Sequence, residues 1–265
     1  MPVVAIYLVS DLHDAADSLK DAVPAGSTLL LLGDLINLID YSDMSGILTE
    51  VFSVDTVMTI NDLRATGDVD QARQVIERRS EGQEKQIQER ISLRVDEQYT
   101  SVFAALPKPT YLILGNVDRP NVVAGYVASA HGATWPDGEI VELEGERFGF
   151  IGGALPTPLR VSGEISREEM ARKVESLGAV DVLCSHIPPA VPELCYDTRA
   201  RRMEEGSEDI LGYIERVEPR VAYFGHVHQP LVSSMFIGKT WCVNVGYFRA
   251  TRRAFLHPNS SATAR

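Results

Sequence analysis

A chain of 265 residues with a formal charge of −12 has room for one sizeable core, as a single α/β domain or one with an insertion. Its acidity argues against a nucleic-acid groove, because phosphate backbones are bound chiefly by Lys and Arg, but permits a small anionic substrate where metal ions reverse the local field. No apolar run approaches the ~20 residues that span a bilayer. The three cysteines, Cys184, Cys195 and Cys242, make neither a disulfide framework nor a zinc-knuckle spacing, which fits a cytoplasmic setting.

The chain opens on an apolar run, Val3–Val9, with no basic residues before it and no small-residue cleavage site; it is expected to be a first strand rather than a signal peptide. A helix is predicted over Ala15–Ala22 and a buried strand over Leu29–Leu32. The segment 41–106 breaks the strand–helix rhythm. It carries two weaker helical stretches, then a long charged helix from near Asp70, where Ile87, Ile91, Val95, Val102 and Leu106 make one apolar stripe. That stripe is expected to dock on the body of the protein, or on a second subunit in a homo-oligomer, near the functional end.

Further strands are predicted at Tyr111–Leu114, Val180–Cys184 and Val221–Phe224, with two edge strands joined by a turn at Gly145 between Leu143 and Ile151. Helices are expected over Arg167–Leu177 and Glu208–Val217, the latter capped by Ser207 with two acids in its first turn. Leu231–Ile237 and Thr240–Val245 read as a hairpin around Gly238. Residues 251–265, and His257–Arg265 above all, are expected to be a disordered tail beyond a domain of residues 1–250.

Five of the predicted strands end in hard oxygen or imidazole donors. Asp11 and His13 follow the first, Asp34 the second, Asn116 and Asp118 the third, His186 the fourth, and His226 and His228 the fifth. Ligand sites in open α/β sheets form at that edge. Period-two spacing puts Asp11 with His13, and His226 with His228, on one side. Carboxylate, amide and imidazole together suit Mn, Fe or Zn. Gly33, Gly115 and Gly225 stand just before donors, where a missing Cβ permits tight turning and close approach.

In this order the motifs D-x-H, G-D, G-N-x-[DE], S-H and G-H-x-H, with the Asn244–Gly246 stretch, resemble the calcineurin-like metallophosphoesterase family from Val3 to about Arg249. The resemblance implies an α/β fold of two stacked β-sheets flanked by helices, here with a helical insertion at 41–106. It implies a two-metal phosphoesterase. Asp11, His13 and His228 would hold one ion, Asn116, His186 and His226 the other, and Asp34 would bridge them. A hydroxide between the ions would attack phosphorus, with Asp34, Asn116 and Asp118 as the catalytic set. One position departs: Val117 stands where the family has a histidine that assists the leaving group. Some members lacking that histidine hydrolyse phosphodiesters. The departure therefore favours a phosphodiesterase acting on a small molecule, such as a 3′,5′-cyclic nucleotide, over a phosphomonoesterase or protein phosphatase. A metal-binding scaffold for protein partners is the reading from another class. No nucleic-acid or membrane partner is expected. Arg119 and Arg249 are expected at the surface, with phosphate contact as the alternative.

Overall fold

The computed structural model describes residues 4–158 and 160–258. Its strands in chain order are β1 (Ile6–Val9), β2 (Thr28–Leu32), β3 (Thr110–Ile113), β4 (Ala133–Thr134), β5 (Ile140–Leu143), β6 (Glu146–Ile151), β7 (Val182–Ser185), β8 (Tyr196–Asp197), β9 (Arg202–Met203), β10 (Val221–Phe224), β11 (Ser234–Ile237), β12 (Thr240–Asn244) and β13 (Phe255–Leu256). One sheet has the order β13-β1-β2-β3-β4 and a second β11-β12-β10-β7-β6-β5, while β8 and β9 pair alone.

Alternation along the strands builds the layers. Ile6 and Leu8 with Leu30 and Leu32 face the second sheet, meeting Phe148, Phe150, Val182, Val221 and Tyr223 in an apolar inter-sheet layer. The opposite faces of the same strands, Leu29 and Leu31 among them, pack beneath helices. The second sheet turns Leu183, Ala222 and Phe224 toward α7 (Arg167–Ser176) and α9 (Glu208–Val217). This is the expected helix–sheet–sheet–helix stack. Each of these helices starts on a serine whose side chain accepts an amide hydrogen bond, Glu169 N to Ser166 at 3.1 Å and Ile210 N to Ser207 at 3.2 Å. In α9 the buried Ile210, Tyr213 and Ile214 fall at helical spacing.

Several boundaries differ from expectation. The helix predicted at Ala15–Ala22 is one turn of 3₁₀ helix (Ala16–Ser18) followed by one α-turn, α1 (Leu19–Ala22). Residues 41–106 form α2 (Ile47–Phe52), α3 (Val54–Ala65), α4 (Val69–Ser80) and α5 (Glu84–Ala105), so the single rod expected from Asp70 is broken at residues 81–83. Gly82 at φ +74° supplies a conformation that a continuous helix excludes. Only β5 is an edge strand of the hairpin at Gly145, because β6 pairs on its other side with parallel β7.

Burial along the stripe rises from the half-buried Ile87 and Ile91 to Val95 and Val102, so its C-terminal half docks on the protein's own body. A further helix, α6 (Pro120–Ser129), opens on a proline at its first turn.

The expected disordered tail is corrected over residues 251–258. Phe255 and Leu256 pair antiparallel with β1, and His257 is buried, its ring nitrogens meeting Glu146 at 3.0 Å and the Tyr223 hydroxyl at 2.9 Å. A buried imidazole with two polar partners fixes the chain there. Residues 259–265 lie outside the described residues.

Candidate metal centre

Strands β1, β2 and β3 run parallel, as do β6, β7, β10 and β12, and their C-terminal ends meet along one edge. Asp11, His13 and Asp34 come from the first sheet, His186 and His226 from the second. Two groups of donor atoms converge there within 4.8 Å of one another: Asp11, His13 and His228, and Asp11, Asp34 and His186. His13 Nε2 lies 3.3 Å from His228 Nε2, and Asp11 Oδ1 lies 3.6 Å from the same nitrogen of His228. Asp34 reaches both ways, with Oδ2 3.7 Å from His13 Nε2 and Oδ1 3.6 Å from His186 Nε2. Asn116 Oδ1 stands 3.1 Å from His186 Nε2 and 3.0 Å from His226 Nδ1. The seven residues named from the sequence as metal ligands therefore converge on one place.

The local backbone shows what this convergence requires. Asp11, His13, Asp34 and His226 all have positive φ, between 42° and 67°. Non-glycine residues rarely occupy that region, and those that do cluster at functional sites. A Cβ on Gly115 would come within 2.1 Å of Asp34 Oδ1, and one on Gly225 within 1.8 Å of Ser10 Oγ. Close approach is thus the reason for both glycines. Asn244 completes the frame, its side-chain amide donating to the carbonyls of Gly225 (3.3 Å) and Val227 (2.9 Å) on either side of His226.

The donor set fits divalent cations. Asp11 and Asp34 are buried, and among the described residues neither carboxylate has a Lys or Arg partner. A buried carboxylate without a counter-charge is costly, and cations held between Asp11, Asp34 and the facing imidazole nitrogens would supply that charge. The hydrogen bonds behind the donors agree. His186 Nδ1 is 2.8 Å from the Leu32 carbonyl, an arrangement that puts its proton there and leaves Nε2 as a lone pair facing Asn116 and Asp34. His13 Nδ1 is buried without a partner among the described residues.

Electrostatics follow the same contacts. Burial pushes the Asp11 carboxyl up, but His228, with His186 and His13, outweighs that and holds it well below the usual carboxylate range. Burial lowers His13 and His226. Burial also works against protonation of His228, yet the adjoining Asp11 raises it overall.

Asp118 stands apart from the donors. It is fully buried and accepts from Gly115 N (2.8 Å), Leu35 N (3.0 Å) and the Tyr99 hydroxyl (3.4 Å). Burial, then the charge of Asp34, pushes it up to about 7 against the pull of those two amides. Its place is to tie the loop after β2, the loop after β3 and α5 together. Val117 is buried with the sheet–helix core, and its amide donates to Asp34 Oδ1 at 3.1 Å.

Arg249 departs from the surface role expected of it. Its guanidinium donates to the His13 carbonyl (2.8 Å), Asp40 (3.1 Å), Ser45 (2.8 Å) and Asp43 (3.4 Å). Arg119 donates through its backbone amide to Tyr99 Oη at 2.7 Å. The sequence reading missed Tyr247, whose ring lies on His228 and whose hydroxyl donates to Asp40.

The model of the calcineurin-like phosphoesterase family matches residues 4–230. The chain belongs to that family. It is a metal-dependent phosphoesterase by family, and the candidate ligand groups lie where its strands deliver them. No curated protein matches the chain. Among solved structures it is similar to the Aquifex aeolicus protein AQ665, of unknown function, at 12% identity over 96% of this chain and 95% of that one, with a TM-score of 0.41. It is also similar to purple acid phosphatase PPD1 from yellow lupin seeds, at 13% identity over 98% of this chain and 46% of that one, with a TM-score of 0.40. The phosphoesterase contains no helix long and apolar enough to cross a membrane among its described residues.

Proposed function

We propose that the protein is a dinuclear phosphodiesterase acting on a small molecule, with a 3′,5′-cyclic nucleotide as the first substrate to try. Asp11, His13 and His228 would hold one ion, Asn116, His186 and His226 the other, and Asp34, which reaches toward His13 and His186, would serve both. The mixed oxygen and nitrogen donors suit Mn, Fe or Zn. Divalent ions bound there would activate a water and neutralise charge developing on phosphorus. Three buried, unbridged cysteines accord with a cytoplasmic location.

Val117 is the observation that carries the choice of diester. Its side chain packs in the core and has no proton to give, and the neighbouring Asp118 carboxylate is taken up by two amides and a tyrosine hydroxyl. A positioned general acid is worth about 10²–10⁴-fold. Without one, turnover depends on leaving groups that depart unaided. With Mn²⁺ supplied, bis-p-nitrophenyl phosphate should be hydrolysed fastest, cyclic AMP, whose leaving group is an alkoxide, more slowly, and alkyl phosphomonoesters hardly at all. Val117→His should add alkyl monoesterase activity by about ten-fold at unchanged metal content. A wild type that prefers alkyl monoesters overturns the reading.

A further inference from the structure

The β8–β9 hairpin carries Arg199, Arg201 and Arg202 within four residues of an acidic protein, and it is fastened beside a candidate metal ligand. Thr198 donates through N (2.8 Å) and Oγ1 (3.0 Å) to the carbonyl of Gln229, the residue after His228. The buried Asp197 carboxylate returns the tie, accepting from Gln229 N at 3.2 Å. Its other oxygen accepts the amides of Arg199 (2.8 Å) and Ala200 (2.7 Å), which sets the turn that presents the arginines.

The cations then divide. Arg202 is paired with Glu204 at 2.7 Å. Arg199 and Arg201 are exposed and have no carboxylate partner among the described residues. The Arg199 guanidinium instead meets the Ser42 carbonyl at 3.4 Å. That turn, residues 40–45, is also where Arg249 is held, and Arg249 donates in turn to the His13 carbonyl. Arg199 thus connects the His228 side of the centre to the strap on the His13 side. The acids of the strap, Asp40 and Asp43, already face Arg249. The Arg199 guanidinium thus stands at the rim with its charge uncompensated, and Arg201 shares its turn.

We propose that Arg199 and Arg201 form an anion-recognition rim that selects phosphoesters carrying a second phosphate besides the scissile one. Guanidinium groups match phosphate oxygens in fork geometry, and an uncommitted cation beside a low-dielectric centre focuses anions toward it. The inference rests on the phosphoesterase reading. Its test compares two substrates with the same scissile ester: thymidine 5′-(p-nitrophenyl phosphate) with and without a 3′-phosphate.

The Mn²⁺-loaded wild type should show a kcat/KM about ten-fold higher for the 3′-phosphorylated ester, the size of one charge-assisted hydrogen bond. In Arg199→Ala/Arg201→Ala the ratio should fall to near one, and in Arg199→Lys/Arg201→Lys much of it should return. Calorimetric binding of thymidine 3′,5′-bisphosphate against thymidine 5′-monophosphate makes the same comparison without turnover. Absence of hydrolysis of either ester would count against the phosphodiesterase reading alone. Equal wild-type affinity for the two nucleotides, or a preference that survives the double alanine variant, overturns the rim.

Discussion

Tyr247 lies flat on His228, with ring centroids 3.9 Å apart and planes 6° from parallel. Its hydroxyl donates to Asp40 at 2.5 Å, so the stacked ring is itself held in place. The His228 side chain is 31% exposed, and the stack supplies the orientation that burial gives His13 and His186. Tyr247→Leu should weaken Mn²⁺ binding by about 10-fold or more, as outer-shell losses typically do. Tyr247→Phe, which keeps the stack, should lose less. Equal Mn²⁺ affinity in the leucine variant and wild type, measured by titration calorimetry, would dissociate Tyr247 from the centre.

Asp34 faces histidines of both halves of the centre, whereas His228 serves one. Metal content measured on purified protein should therefore fall further in Asp34→Ala than in His228→Ala, with turnover lost in both. Full metal occupancy in Asp34→Ala would sink the bridging assignment.

Removal of the Asp118 carboxylate leaves two buried amides and a buried hydroxyl short of an acceptor. Each such group costs about 1–3 kcal/mol. Asp118→Ala should lower the unfolding free energy by about 3 kcal/mol or more in urea denaturation, and Asp118→Asn, which keeps one acceptor oxygen, by less. An alanine variant as stable as wild type would mean the tie is not a stabilising one.

Two neighbouring positions on α5 separate its faces. Ile91 packs against the sheet–helix core, while Leu93 is 59% exposed. Ile91→Glu should cost about 1 kcal/mol or more, and Leu93→Glu should stay within about 0.5 kcal/mol. Thermal melts of the two variants make the comparison, and equal melting temperatures would contradict the docking.

Burial pushes the Asp40 carboxyl up, but hydrogen bonds from Ser42 and Tyr247 and the charge of Arg249 outweigh it and lower it from 3.8 to about 2. A carboxyl depressed in the folded state stabilises the fold above its unfolded value and loses that contribution as pH falls through the folded one. The stability gap between wild type and Asp40→Asn should be constant near neutrality and close as pH drops from 3.8 to about 2. Urea denaturation at several acidic pH values reads this, and a gap independent of pH refutes it.

The donors were legible because each follows an apolar strand directly, so local order already places Asp11, Asp34, Asn116, His186 and His226 at one edge. Tyr247 was not. Its contacts with His228 and Asp40 join segments 19 and 207 residues apart in the chain, and nothing local marks it. Arg249 looked like a surface cation for the same reason. The sequence showed α5's apolar stripe but not its polar partner Tyr99, and put Asp118 in the catalytic set without showing that it ties the loops to α5. The tail was misjudged because small and polar residues after 257 outweighed the short Phe255–Leu256 strand.

The Tyr99–Asp118 contact has a consequence for how the molecule opens. Asp118 carries hydrogen bonds from the amides of Leu35 and Gly115, so the C-terminal half of α5 cannot peel off without disturbing the loops that hold Asp34 and Asn116. Helices α3 and α4 have few buried residues and no such tie. Residues 41–106 should therefore open in two steps. Amides of α3 and α4 should exchange through local fluctuations, and those of the docked half of α5 only together with the loops that carry Asp34 and Asn116.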